Sequence, residues 1–193
     1  MRNMNNLGRA GARLWLTALA AMLALTSMAV SVTQQKKSDV AGGIKNFGKV
    51  DEHYYRGSQP NAAQFAELKR LGIKTVIDLR EDNVREEPDE VRGLGLQYFN
   101  IPMRPARAAT AEQVDYFLKL VNDPQNWPVY VHCKGGKHRT GALTAVYRIT
   151  HDGWTADRAY QEMKDYDFED GFFGGPTAQR KFVYSFYERH QTK

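Results

Sequence analysis

The chain has 193 residues, of which 42% are hydrophobic and 25% charged, the balance of a protein with a packed core rather than of a disordered or fibrous one. Its formal net charge of +5 comes mostly from residues 1–29, which hold Arg2, Arg9 and Arg13 and no acidic side chain; the remainder has 24 basic against 22 acidic groups, which excludes a global nucleic-acid footprint. Cys133 is the only cysteine, so neither an intramolecular disulfide nor a zinc site of several cysteines is available.

Residues 14–35 carry no charge, and within them "LWLTALAAMLALTSMAV" is nearly continuous apolar sequence. Arginines ahead of it and the small-x-small triplet Ser27-Met28-Ala29 at its end have the layout of a secretory leader. The run also approaches the roughly 20 residues of a membrane span. Residues 1–32 are therefore read as a signal peptide or a membrane anchor. Either implies an exported protein, periplasmic or held at the inner membrane, with membrane contact through this segment. Residues 33–43 read as a linker and 44–193 as the folded domain.

Along the domain, "NFGKVDEHYYRGSQP" predicts two short strands joined by a turn. "NAAQFAELKRLG" predicts a helix with Asn61 as N-cap, Gln64 completing a capping box and Gly72 at the stop. "KTVIDL" is too short and too β-branched for anything but a buried strand. A charged stretch with a short helix before Gly93 leads to the strand "LQYFNIP", and Thr110 with Gln113 opens a helix to about Asn122. "PVYVH" is a strand, followed by a loop and a helix over about 140–151. Thr155 opens a helix to about Lys164, "DYDFEDGFFGGP" reads as an exposed acidic loop, and residues 177–189 form the last helix. Strands alternating with helices predict an α/β fold: a central, mostly parallel sheet.

The chemistry is concentrated in "VYVHCKGGKHRTGAL". A strand, a short glycine-bearing loop and a helix in succession point backbone N–H groups into one concavity, to which the helix terminus adds positive potential. Gly135 and Gly136 permit the backbone angles that close such a nest, and it fits a phosphate or sulfate. The same environment, with Arg139 at its edge, favours the thiolate of Cys133. Arg139 offers a planar fork for two oxyanions, Thr140 a hydroxyl for the sulfur, and His132 a means of ordering the backbone behind it. A Walker A loop does not fit, because His138 stands where Ser or Thr is required.

"HCKGGKHRTG" matches the His-Cys-x5-Arg-Thr-Gly signature, and at these residues the chain resembles the cysteine-dependent protein tyrosine and dual-specificity phosphatases. With "YRGSQP", "GIKTVIDLR", "FNIPM" and "YRITHDGWTADRAYQEM", it is similar to their small bacterial branch over about residues 44–190. The resemblance implies a sheet of four or five strands with helices on both sides, and hydrolysis of phosphate monoesters without metal or cofactor. It implies Cys133 as nucleophile, Arg139 as phosphate binder and Thr140 as the hydroxyl aiding hydrolysis. Lys134, Gly135, Gly136, Lys137 and His138 would line the substrate cradle.

Relatives supply an aspartic acid from the loop after the strand corresponding to "QYFNIP", whereas here that loop, "MRPARAAT", has Arg104 and Arg107 and no acid. Glu112, Asp115, Asp78, Asp82, Asp165, Asp167, Glu169 and Asp170 are the other acids in question, each read first as structural or as solvated surface. A missing acid favours weakly basic leaving groups: a phenolate, of pKa about 10, or a phosphate, with a second pKa near 6. Lys134 and Lys137 beside the cradle suit inositol phosphates as well as phosphotyrosine or phosphoprotein. A phosphate-binding pseudophosphatase with little turnover, and a sulfur-transfer enzyme, stay open as alternatives.

Overall fold

The strands β1 (Gly48–Lys49), β2 (Tyr54–Ser58), β3 (Thr75–Arg80), β4 (Gln97–Met103) and β5 (Val129–Cys133) form one sheet in the order β1-β2-β5-β3-β4. Only β1 runs antiparallel to its neighbour; β2, β5, β3 and β4 are mutually parallel. The structure is a computed structural model and describes residues 40–81, 86–171 and 177–192. The apolar run at 14–35 and the export reading placed on it lie outside the described residues, as does Asp82. Among the described residues no helix is long and apolar enough to cross a membrane.

Among the described residues six α-helices complete the fold: α1 (Ala62–Arg70), α2 (Glu87–Gly93), α3 (Ala111–Val121), α4 (His138–Asp152), α5 (Ala156–Asp165) and α6 (Ala178–Gln191). They cover both sides of the sheet, and the period-two alternation of the strands decides which side each residue serves. On one face Val76 and Tyr130 pack with Phe65 and Leu68 of α1 and Val91 of α2. On the other, Ile77, Leu79, Val129 and Val131 pack with Phe117 of α3, Leu143 and Val146 of α4, Met163 of α5 and Phe182 of α6. Every residue of β3 and β5 is buried, as parallel strands covered on two sides require. Each of these large apolar side chains contributes on the order of 1.5–3 kcal/mol by its burial.

The capping boxes expected at Asn61–Gln64 and Thr110–Gln113 are both formed, and Thr155 and Thr177 cap α5 and α6. Two boundaries differ from expectation. Helix α4 starts at His138, two residues before the predicted position, because the Lys137 carbonyl already accepts the first helical bond from the Gly141 N–H at 3.0 Å. The compact unit begins at Ala41, inside the stretch read as linker: Ala41 is 1% exposed and packs with Ile44, Phe65 and Leu68.

Candidate active site

Strand β5 ends at Cys133, which is 4% exposed and forms the floor of a cleft of about 510 Å³. The cleft lies at the carboxyl end of the parallel strands, where open α/β sheets place their ligand sites. Lys134, Gly135, Lys137, His138 and Arg139 line it, with Pro105 and Ala106 on one side and Glu169, Asp170 and Gln179 on another.

The loop between β5 and α4 is shaped from behind. Parallel pairing aligns Ser58 with Cys133, so the chain leaving β2 runs beside the loop. The Gln59 N–H donates to the Lys134 carbonyl at 3.3 Å, Asn46 Nδ2 to the Gly135 carbonyl at 2.9 Å, and Arg56 Nη2 to the Gly136 carbonyl at 2.6 Å. In a planar trans peptide the C=O and the following N–H point in opposite directions. Holding three successive carbonyls on the β1–β2 side therefore turns the N–H groups of Gly135, Gly136 and Lys137 the other way. Helix α4 follows at once and has no capping side chain at its start, so its terminus adds to the same anion-binding nest.

The two glycines are not equivalent. Gly136 has φ +69° and packs so closely on β2 that a Cβ there would lie 2.5 Å from the carbonyl carbon of Gly57. At Gly135 no left-handed φ is found, and a Cβ would approach nothing nearer than Lys137 Cγ at 3.7 Å. Closing the nest thus requires glycine at Gly136 but not at Gly135, where the sequence had suggested both.

Arg56 is completely buried, its guanidinium 4.0 Å from the centre of the Tyr166 ring. Burial lowers its pKa, opposed by Tyr54, Tyr166, Glu162 and Cys133. Arg139 lies in the first turn of α4, 6% exposed, and its Nη1 donates to the Met103 carbonyl at 3.0 Å, which ties the guanidinium to the end of β4. Thr140 is buried beside it; its hydroxyl has no hydrogen-bond partner among the described residues, so the expected bond to the Cys133 sulfur is not formed.

His132 is fully buried, with Nε2 2.9 Å from Glu87 Oε1 and Nδ1 3.9 Å from Asp78 Oδ1. Arg80 closes the cluster: Nε and Nη2 bind Asp78 at 2.8 and 2.7 Å, and Nη2 also binds Glu87 at 2.5 Å. Asp78 is therefore a structural anion. Burial raises its pKa, but the bonds and charge of Arg80, with His132, outweigh that and hold it below the ordinary value. Asp78, Glu87 and His132 are close enough to share a metal ion, but the Arg80 guanidinium already supplies the positive charge at both carboxylates. Gln59 joins this cluster to the nest, since its Nε2 donates to Glu87 Oε2 at 3.1 Å.

The acids fall into place unevenly. Glu112 and Asp115 lie on α3, and neither lines the cleft. Of the loop after β4, Pro105 and Ala106 line the cleft, whereas Arg104 pairs with Glu81 at 3.1 Å and Arg107 presents its carbonyl to Gln179. The stretch read as an exposed acidic loop is exposed at Asp167 and Glu169, and it also borders the cleft through Glu169 and Asp170. The His138 ring reaches the Glu169 carbonyl at 3.2 Å and packs on Phe168, drawing the segment to the start of α4. Lys137 lies 3.8 Å from Asp167 and 3.7 Å from Glu169. Lys134 is exposed.

Residues 28–183 match the family model described as a DSP-PTPase phosphatase fused to NAD+ kinase. The chain is 32% identical over 125 residues to the dual specificity protein phosphatase TpbA of Pseudomonas aeruginosa, a match spanning 65% of this chain and 56% of that protein. It is also 32% identical over 137 residues to the inositol diphosphatase DSP3 of Arabidopsis thaliana, 68% of this chain and 67% of that one. Among solved structures, P. aeruginosa TpbA superimposes with a TM-score of 0.57 at 26% identity, covering 75% of this chain and 84% of that one. The catalytic core of the S. cerevisiae PP-IP phosphatase SIW14 superimposes with a TM-score of 0.63 over 77% of this chain and 93% of that one; at 22% identity this likeness is one of fold.

Proposed function

Given that the chain belongs to the DSP-PTPase phosphatase family, we propose that it is a cysteine-dependent phosphatase that hydrolyses phosphate monoesters through a phosphocysteine intermediate. The observation that carries this reading is the nest itself: three carbonyls held from behind, Cys133 at the floor and Arg139 in the first helical turn. The N–H groups and Arg139 hold the non-bridging oxygens of the phosphoryl group and match the charge that develops on them in the transition state. The Cys133 sulfur forms its bond to phosphorus as the ester oxygen leaves. Water then attacks, the S–P bond breaks, and the Thr140 hydroxyl, buried and without a hydrogen-bond partner among the described residues, donates to the departing sulfur. Neither step requires a cofactor. The test is hydrolysis of an aryl phosphate by the full chain: turnover that persists in Cys133→Ser overturns the reading, and so does absence of turnover in the unmodified protein, which leaves the pseudophosphatase.

For substrate, the site favours an aryl monoester such as phosphotyrosine. Pro105 and Ala106 give the cleft an apolar wall, and Asp167 and Glu169 share the charge of Lys137. TpbA has been crystallised with phosphotyrosine. Inositol phosphates are the second reading, supported by exposed Lys134 at the rim and by the relative named as an inositol diphosphatase. A Lys134→Ala, Lys137→Ala double variant separates the two, since it loses more rate on a polyphosphorylated inositol than on a monoester only if the second holds. The leader composition supports export to the periplasm or inner membrane, and cell fractionation with the site of processing mapped tests it.

A further inference from the structure

Arg56 of β2 is 0% exposed, and none of the ion pairs among the described residues includes it. Its Nη2 donates to the Gly136 carbonyl and its guanidinium lies on the Tyr166 ring, but Nε and Nη1 are buried with no hydrogen-bond partner among the described residues. The other arginine of the sheet interior is treated differently: Arg80 meets two carboxylates, those of Asp78 and Glu87. A buried cation left without an anion is strongly destabilising, so the charge at Arg56 lacks the partner that the fold gives to Arg80.

The groups close enough to act on that charge are Tyr54, Tyr166, Glu162 and Cys133. Burial raises the pKa of both tyrosines, which are therefore neutral near pH 7. Glu162 is committed to Arg148 at 2.8 Å. What remains is Cys133 and the nest above it. Arg56 faces that nest from behind: it stands opposite Val131 in the parallel register that aligns Ser58 with Cys133, and the Gly136 carbonyl it holds belongs to the peptide whose N–H, on Lys137, turns toward the cleft. A charged donor on the carbonyl polarises that peptide and strengthens the bond its N–H gives to an anion.

We propose that Arg56 is the buried counter-charge of the anion site, a positioning residue whose positive charge is balanced by the doubly charged phosphoryl group that the nest takes up. The inference rests on the phosphate nest of the reading above. Arg56 does not touch the substrate; it acts by its field and through the Gly136 peptide. A neutral donor in its place would keep the loop braced and lose this contribution.

The experiment is calorimetric binding of two tetrahedral oxyanions, doubly charged tungstate and singly charged perrhenate, to the full chain and to its Arg56→Gln and Arg56→Lys variants near pH 7. Gln keeps a donor for the Gly136 carbonyl without the charge. Arg56→Gln should lose roughly tenfold or more in tungstate affinity and at most about threefold in perrhenate affinity. Arg56→Lys should recover tungstate binding to within about threefold of the unmodified chain. No loss in Arg56→Gln, an equal loss for the two ions, or no recovery in Arg56→Lys overturns the proposal and leaves Arg56 a brace. If Arg56→Gln does not fold, Arg56→Lys decides alone, because a buried lysine can be discharged by raising the pH and an arginine cannot. Its tungstate affinity, relative to that of the unmodified chain at the same pH, should fall by about tenfold between about pH 7 and pH 10; a ratio that stays constant overturns the proposal. Failure of either ion to bind the unmodified chain removes the nest and this inference with it, whereas binding with losses indifferent to charge removes only this one.

Discussion

The two sides of the cleft are built by different means. Behind Cys133, carbonyls of the loop are held by Gln59, Asn46 and the buried Arg56, and Gln59 reaches on to Glu87 in a cluster shielded from solvent. In front, the segments that carry Ala106 and Asp167 each place a non-glycine residue in the left-handed region, at φ 57° and 60°, as Asn46 does behind at φ 53°, a conformation costing about 1–2 kcal/mol. Their polar ties include exposed pairs such as Arg104–Glu81 and Lys137–Glu169. The contrast teaches a division of labour: the side that grips phosphate is shaped by bonds to its own carbonyls, one of them from the fully buried Arg56, and the side that meets the rest of the substrate includes exposed ion pairs that salt screens.

The comparison is broken most severely at Gly136. Gly136→Ala puts a Cβ into the backbone of β2 at a positive φ, which displaces N–H donors of the nest; since losing one such donor costs about 10²–10³ in turnover, a loss of at least about a thousandfold in aryl phosphatase activity is expected. Gly135→Ala should stay within a few-fold, because its Cβ meets only a flexible lysine at 3.7 Å. Equal effects would remove the claim that β2 shapes the nest. Arg139→Lys keeps the charge but loses the planar fork, and a fall of about a hundredfold in kcat is expected.

The buried cluster is probed through acid. Asp78 has its pKa held below the ordinary 3.8, so its contribution to stability is complete above that value and is lost as the pH falls through the lower folded value. Urea denaturation below about pH 4 should show this loss in the unmodified chain and a flatter limb in Asp78→Asn. The variant itself should cost less than the roughly 3–5 kcal/mol of an orphaned buried charge, because Glu87 keeps Arg80 paired. Arg56→Met keeps the volume and leaves the Gly136 carbonyl without its donor. Phosphate affinity should drop by about tenfold, within the range of roughly 1–3 kcal/mol for an unmade buried bond; unchanged affinity would show the brace to be dispensable. Smallest of all, Glu169→Ala removes an exposed partner of Lys137 and should change aryl phosphate turnover by less than about fivefold, as for pairs worth about 0.2–1 kcal/mol.

What the sequence disclosed follows the range of the interactions concerned. The capping boxes at Asn61 and Thr110 span three residues, and the Cys133–Arg139 spacing lies within one strand–loop–helix unit, so both could be read locally. The braces could not: Asn46 meets Gly135 across 89 positions and Arg56 meets Gly136 across 80. "YRGSQP" could be quoted as family-like without its purpose being visible, because that purpose depends on the parallel pairing of β2 with β5. Asp170 is named among the acids in question but reads first as solvated surface, for the opposite reason. A run as polar as "DYDFED" is ordinarily solvated, and only the packing of α5 and α6, which brings Tyr160 and Arg180 to one oxygen, marks this aspartate among its neighbours.

The bonds from Asn46, Arg56 and Gln59 to the loop also make the anion site and the β1–β2 hairpin a single thermodynamic unit. If the loop grips phosphate only while its three carbonyls are held, the free energy of binding is shared with the pairing of residues 48–58, and the coupling is reciprocal. Whatever steadies the hairpin raises affinity at the loop by the same factor by which phosphate suppresses opening of the hairpin. Amide hydrogens of β1 and β2 thus become a remote gauge of occupancy, exchanging more slowly as the nest fills, although these strands are separated in sequence by some eighty residues from the loop that holds the anion.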